Sequence, residues 1–310
     1  MTLVLITGSS GFLGTYLARA CVAARHTIYG IDRNPPLEPA LWSGFVQGTL
    51  AEVNFEKFLG TQHLQTCFHL AGSGSVPYSV AHPYEDFTKL LPGTARLLAY
   101  LSQHQPQCHF VLFSSAAVYG SPQILPVSET TPTKPISPYG VHKRLAENLL
   151  QDYSTLYGLS GSILRIFSAY GAGLRRQLFW DVLNKYFAAL AKGEKTIKLF
   201  GTGAESRDYI HAQDVARAAI IASNNQKPQS VQIINVANGI EVTTQTAVDT
   251  LLAAIPQPIA VEFTSQPRPG DPYRWVADIS QLSAIGYTPT ISLHEGLSGY
   301  FSWYRKEVKT

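Results

Sequence analysis

The sequence predicts an α/β fold, a doubly wound parallel sheet with a smaller C-terminal lobe, and three observations carry that expectation. Short apolar runs alternate with longer helical patterns through the first two-thirds of the chain. A glycine-rich turn stands directly after the first run. The texture then changes after about Tyr170, where glycines and later prolines interrupt the alternation.

The runs Leu3–Thr7, Thr27–Ile31, Thr66–Leu70, Phe110–Ser114 and Ser162–Phe167 read as strands. Each is apolar at nearly every position, as expected of strands covered on both faces. Leu13–Ala24 and Tyr139–Tyr157 between them read as amphipathic helices. Such alternation implies a parallel sheet whose ligands bind at the carboxyl ends of its strands. Beyond Tyr170 come a loop over Gly171–Arg176, a helix over Leu178–Ala191, two glycines within Lys198–Arg207 and five prolines between Pro256 and Pro272. A last helix is expected near Leu293–Tyr304. This half cannot extend the sheet regularly. Residues 1–170 with 208–237 are therefore assigned to a dinucleotide-binding domain, the runs Asp208–Ser223 and Val231–Ala237 returning to it. Residues 171–207 with 238–310 form the substrate lobe.

The 310 residues are 45% hydrophobic and 15% charged, which describes a globular chain rather than a disordered one. A net charge of +3, with no Lys/Arg block longer than two, gives no electrostatic reason to expect nucleic acid or an anionic membrane as partner. Cys21, Cys67 and Cys108 are too scattered for a disulfide framework or a metal site, which points to a reducing compartment. The opening run Leu3–Ile6 is too short for a signal segment, and no apolar run reaches the ~18 residues of a membrane span. A soluble, cytoplasmic protein is expected, with no metal.

Gly8, Gly11 and Gly14 follow the first strand and open the first helix, in the spacing G-x-x-G-x-x-G. Glycine reaches positive φ and lets backbone approach a pyrophosphate, while the helix start offers free N–H groups and a positive dipole end. The context is that of the Rossmann-type dinucleotide turn. Asp32 closes the next strand, where a carboxylate accepts a ribose 2′-hydroxyl and repels a 2′-phosphate. That favours NAD, whereas Arg33 beside it could attract the phosphate of NADP. A plain tight turn with a helix-facing Asp is the bland alternative.

Tyr139 and Lys143 stand four apart at the start of a helical pattern, which puts them on one face. A free phenol titrates near ~10, and an adjacent ammonium favours its ionised form, making it useful for moving a proton at a hydroxyl or carbonyl. Alone, such a pair is common by chance. Ser115, at the end of the run that begins at Phe110, adds a hydroxyl at the carboxyl edge of the sheet, able to bond the oxygen that Tyr139 protonates.

Thr7-Gly-Ser-Ser-Gly-Phe-Leu-Gly14, His69-Leu-Ala-Gly72, Ser114-Ser-Ala-Ala-Val-Tyr-Gly120 and Ser137-Pro-Tyr-Gly-Val-His-Lys143 together resemble the extended short-chain dehydrogenase/reductases, within them the nucleotide-sugar epimerases and dehydratases. The resemblance continues through Leu164-Arg-Ile-Phe-Ser-Ala-Tyr-Gly171, Phe200-Gly-Thr-Gly203, Arg207-Asp-Tyr-Ile-His-Ala-Gln-Asp214 and Arg268-Pro-Gly-Asp271. It spans essentially the whole chain in order. It implies Tyr139 as acid-base, Lys143 as its modulator and nicotinamide-ribose ligand, and Ser115 as hydroxyl partner. Cofactor contacts are implied at Gly8, Gly11, Phe12, Leu13, Gly14, Asp32, Arg33, Leu70, Ala71 and Gly72, with substrate contacts at Ser168, Arg207, Arg268 and Trp275. A homodimer through helices around Leu91–His104 and Tyr139–Tyr157 is implied as well.

The resemblance also separates reactions. The related dehydratases carry an Asp-Glu pair just after the catalytic hydroxyl, and here Ala116 and Ala117 occupy those places and cannot move a proton. A 4-epimerase needs only reversible hydride transfer, one Tyr and one hydroxyl, through a transient 4-keto sugar. A reductase of a nucleotide-linked 4-keto sugar would use the same residues with exchanging NAD(P)H. A non-catalytic dinucleotide-sensing regulator is a third reading of the fold, against which the retained Tyr139/Lys143 pair argues. The resemblance implies Arg207 and Arg268 as diphosphate ligands, a role that arginine's planar fork of two parallel donors suits; outside these motifs they would read as solvated surface arginines. Trp275 is either a bulky wall that excludes N-acetyl sugars or an ordinary core tryptophan. Ser168, Leu90 and Thr49 replace the Asn, Asn and Asp common at those positions.

Overall fold

A computed structural model of the protein describes residues 2–265 and 272–308. The first part of the chain runs β1 (Leu3–Thr7), α1 (Phe12–Ala23), β2 (Thr27–Asp32), β3 (Gly44–Gln47), α2 (Phe55–Leu59), β4 (Leu64–His69), α3 (Val76–Ala81) and α4 (Pro83–His104). It continues through β5 (His109–Ser115), α5 (Pro138–Tyr157), β6 (Gly161–Ile166), β7 (Ser168–Tyr170), α6 (Gln177–Ala191), β8 (Thr196–Leu199) and β9 (Ser206–His211). The last elements are α7 (Ala212–Asn224), β10 (Val231–Val236), β11 (Glu241–Thr243), α8 (Thr244–Ala253), β12 (Ala260–Phe263), α9 (Ser280–Ala284) and α10 (Leu293–Val308).

Seven strands form one parallel sheet in the order β10-β6-β5-β4-β1-β2-β3. Period-two alternation explains why β1 is apolar throughout. Leu3 and Leu5 point into a core shared with Leu97 and Leu101 of α4 and Leu150 of α5. Val4 and Ile6 point the other way, onto Leu17 and Cys21 of α1 and Ala218 of α7. With both faces covered, the polar ends of the strands alone are left for chemistry. Register aligns Thr7 of β1 with Ile31 of β2 and His69 of β4, so these carboxyl ends share one edge. The strand order reverses between β1 and β4, which opens the crevice where such sheets take ligands.

The expected strands and helices lie close to where the apolar runs placed them, with one difference in pairing. Residues 208–211 belong to β9, which lies in a separate three-stranded sheet, β11-β9-β7, although Ile210 joins α7 in the core against the main sheet. β8 and β12 form a parallel pair. A third core of Tyr170, Phe179, Tyr186, Val248, Tyr300 and Tyr304 binds α6, α8 and α10 together beside β7 and β9. Among the described residues no helix is long and apolar enough to cross a membrane, and no cluster of three His, Cys, Asp or Glu could hold a metal. All three cysteines are buried and free, and burial pushes the Cys21 thiol up to about 12.

Candidate active site

At the end of β1 the chain turns through Gly8 at φ +70°, where a Cβ would stand 2.7 Å from the backbone N of Ala71. A Cβ on Gly14 would stand 2.3 Å from the carbonyl oxygen of Gly8. These two glycines are demanded by the packing of the turn against itself and against the chain beyond β4. Gly11 is different: it is exposed, and a Cβ there would meet only the Gly8 oxygen, at 3.1 Å. No side chain caps α1 at Gly11, so the first N–H groups of the helix, those of Phe12 and Leu13 among them, have no side-chain acceptor. The side chains of Phe12 and Leu13 go into packing, Phe12 edge-on to Tyr16 at 5.6 Å and Leu13 against the core below the sheet. Ser9 Oγ is buried in the turn without a partner. An uncapped helix start, an exposed glycine and an unpartnered hydroxyl fit a dinucleotide pyrophosphate.

Asp32 ends β2 beside this turn. One carboxylate oxygen accepts the Ser10 N–H at 3.0 Å and the other the Asn34 N–H at 2.8 Å. The carboxylate thus ties the second strand to the glycine turn while staying partly exposed, and Arg33 lies exposed next to it. At the end of β4 the imidazole of His69 shares hydrogen bonds with Thr7 Oγ1 at 2.7 Å and Thr94 Oγ1 at 2.8 Å. Burial and the nearby Lys143 push its pKa down to about 3, so it is a neutral tie between β1, β4 and α4 rather than an acid-base. The Leu70 N–H donates to Thr7 O at 3.0 Å, and Leu70 and Ala71 line the turn against Gly8. Gly72, exposed at φ +132°, faces Leu90, whose Cδ1 would lie 2.9 Å from a Cβ.

Ser115 closes β5, and its Oγ accepts the Ala117 N–H at 3.2 Å as the chain enters a 3-10 turn over Ala116–Tyr119. Tyr139 enters from α5 near enough for the Ser115 hydroxyl to influence its phenol. The start of α5 is set from two sides. Ser137 caps it by accepting from Gly140 N–H at 3.2 Å, and Ser79 of α3 accepts from the Tyr139 N–H at 3.0 Å. One turn on, Lys143 is buried, with Nζ donating to Phe113 O at 2.8 Å and 5.9 Å from the centre of the Tyr139 ring. The structure therefore brings Ser115, Tyr139 and Lys143 together at the carboxyl edge of β5.

The electrostatics differ from the simple expectation for a Tyr/Lys pair. The Tyr139 pKa is raised, chiefly by burial, while the Ser115 hydroxyl and the Arg176 guanidinium pull it down and Asp86 pushes it up. Lys143 falls to about 8, because burial outweighs the upward pull of Asp86 and Glu147. Desolvation thus favours the neutral form of both groups.

On the substrate side, Arg207 of β9 lies with its guanidinium 5.6 Å from the Trp275 ring centre. Trp275 Nε1 donates to Gly120 O at 3.2 Å, so this indole spans from the loop after Ser115 to the arginine. Its ring also meets Phe167 edge-on at 6.1 Å. Ser168 begins β7 and pairs in register with Tyr209, two residues beyond Arg207. Arg268 and Asp271 lie outside the described residues.

Several residues at the site carry no local sequence signature. Arg176, read from sequence only as part of a loop, brings Nη2 to 2.7 Å from where a Cβ of Gly74 would sit and acts on Tyr139. Asp86 of α4 bonds His142 Nδ1 at 2.6 Å and is felt by both Tyr139 and Lys143. Beneath the site, Arg165 links Glu147 to Tyr119 and Glu129, and Tyr119 donates to Asn235 of β10 at 2.7 Å. The signal that could have found Glu147 is its place one turn beyond Lys143 on the same face.

A seven-stranded parallel sheet, a glycine turn at its crevice and a Ser/Tyr/Lys group at the end of β5 define an extended short-chain dehydrogenase/reductase. The model of the NAD dependent epimerase/dehydratase family matches residues 4–237, and the chain belongs to that family. It is 31% identical over 314 residues to UDP-glucose 4-epimerase of Mycolicibacterium smegmatis, 98% of each chain being covered. The Thermus thermophilus UDP-glucose 4-epimerase complex with NAD superposes with a TM-score of 0.85 at 27% identity, over 99% of this chain and 100% of that one. UDP-N-acetylglucosamine 4-epimerase from Methanobrevibacter ruminantium, in complex with UDP-N-acetylmuramic acid, gives 0.86 at 26% identity over 99% of both.

Proposed function

We propose that this protein is an NAD-dependent nucleotide-sugar epimerase that inverts C4 through a transient 4-keto sugar, acting on UDP-sugars. The observation that carries this is the grouping of Ser115, Tyr139 and Lys143 at the sheet edge shared with the glycine turn, with Lys143 Nζ 5.9 Å from the Tyr139 ring centre. The similar UDP-sugar 4-epimerases support the reading. Bound NAD would supply the reversible hydride acceptor for the sugar C4. Gly11 and the start of α1 would hold its pyrophosphate, Asp32 its adenosine ribose and Lys143 its second ribose.

Tyr139 takes the proton of the sugar 4-hydroxyl and gives it back to the keto oxygen, while Ser115 donates to that oxygen and fixes it. Ser115 and Arg176 favour the phenolate that the first half requires, and burial favours the phenol that the second half requires. Ala116 and Ala117 are buried and supply no group for elimination, so the keto sugar returns to a hydroxyl. Arg207 binds the diphosphate, and Trp275 beside it limits the space next to the sugar. In this reading 1–170 with 208–237 serve the cofactor and 171–207 with 238–310 the nucleotide sugar, in a cytoplasmic homodimer.

Tyr139→Phe keeps the ring and removes the hydroxyl. Interconversion of UDP-sugar C4 epimers falls by about a hundredfold or more in that variant, with bound NAD unchanged. Unchanged turnover would show that Tyr139 is not the acid-base.

A further inference from the structure

Glu147 of α5 lies one helical turn beyond Lys143, on the same face. Its carboxylate accepts Arg165 Nε at 3.1 Å on one oxygen and Arg165 Nη2 at 2.8 Å on the other, and it also accepts the Ser114 hydroxyl. Ser114 immediately precedes Ser115, and Phe113, whose carbonyl accepts Lys143 Nζ, precedes Ser114. Arg165 reaches on to Tyr119 OH at 3.0 Å and Glu129 O at 3.1 Å. The side chains of Arg165 and Glu147 are only 5% and 3% exposed. An ion pair so placed costs desolvation that a pair of apolar side chains would not, which makes its position worth explaining.

We propose that Glu147, held by Arg165 and Ser114, is a positioning residue for the Ser115–Tyr139–Lys143 group. It seats α5 on the carboxyl end of β5 and, with Asp86, supplies buried negative charge that favours the Lys143 ammonium. The proposal rests on the function proposed above only for its kinetic readout. The charged and titratable groups around Lys143 are Asp86 from α4, His69 from β4, Tyr139 and Glu147 from α5, and Arg165 of β6 behind Glu147. His69 is neutral, with a pKa of about 3. Asp86 is bonded to His142 at 2.6 Å. Asp86 exerts the larger upward pull on Lys143, and Glu147, which also holds Ser114 of the strand bearing Ser115, adds to it. Its loss lets the burial of Lys143 act with less opposition, so the lysine pKa falls and the ammonium is lost at lower pH.

The test is an NMR titration of the full-length protein labelled with [ε-13C]lysine, in which the Lys143 signal is the one lost in Lys143→Arg. The parent midpoint is expected at about 8. Glu147→Gln alone leaves Arg165 buried and unpaired, so it is read beside the charge-neutral double variant Glu147→Gln/Arg165→Met. In the folded double variant the midpoint drops by about half a unit or more, and the alkaline limb of kcat/KM moves down with it. A folded double variant whose midpoint stays within about 0.2 units of the parent overturns the proposal. So does a double variant that cannot fold, because the pair would then serve stability alone. A parent that titrates as expected but turns over no nucleotide sugar would refute the functional reading and leave the titration test standing.

Discussion

Gly14 has no room for a side chain: a Cβ would overlap the Gly8 carbonyl oxygen at 2.3 Å, with Ser9 backbone at 2.8 Å. Those neighbours are backbone atoms of a tight turn and cannot step aside as a flexible side chain would. Gly14→Ala is therefore expected to destabilise the fold by about 1–3 kcal/mol or more, read as a lower denaturation midpoint, and to weaken NAD binding. A variant with unchanged midpoint and NAD affinity would show that the turn is looser than its geometry. At this scale much was legible in the sequence. The glycine spacing and the run from Ser115 to Lys143 announce themselves because helix and turn geometry fix where their side chains point. Arg165, Asn235 and Arg176 were not, because their partners come from elsewhere in the chain, Tyr119 and Asn235 standing 116 positions apart. The expected lowering of the Tyr139 pKa by Lys143 also failed, since burial of both groups is a tertiary property that spacing does not express.

At the scale of elements, the strands of the parallel sheet were legible because burial on both faces writes a continuous apolar run. The small strands were not. β9 sets Ser206, Arg207, Asp208 and His211 around only Tyr209 and Ile210, and finds its partners in β7 and β11 rather than in the main sheet. α4 also escapes local reading, since it runs through Pro92 on the strength of its packing against the sheet. The proposed dimer belongs here as well. On α5, Leu156 is 71% and Tyr157 60% exposed, and on α4 Tyr84 is 75% exposed. Leu156 and Tyr157, left in water at the carboxyl end of α5, suit a second copy of this chain. Leu156→Glu with Tyr157→Glu is expected to halve the mass measured by light scattering, since two buried carboxylates per subunit would oppose association. A mass equal to the parent's would place the dimer contact elsewhere or show that none exists.

For the whole molecule, one geometric fact organises the function: the ends of β1, β2, β4 and β5 meet at one edge of one sheet. β1 brings the glycine turn, β2 brings Asp32, β4 brings Leu70 to Gly72, and β5 brings Ser115. α5 lays Tyr139 and Lys143 across that edge, while β9 and the segment at Trp275 approach it with Arg207. Such a site can oxidise a sugar carbon and restore it without net redox change, because the hydride removed is held beside the carbon that must take it back. The central claim is thus a redox-neutral inversion at C4. It is tested most directly by incubating the NAD-loaded enzyme with UDP-glucose in D2O and following the sugar C4 proton by NMR alongside nicotinamide absorbance. The expected product is UDP-galactose, with the C4 proton retained and no net reduction of NAD. Stoichiometric consumption of NADPH with a keto sugar, deuterium at C4, or no C4 epimer from any UDP-sugar would contradict it.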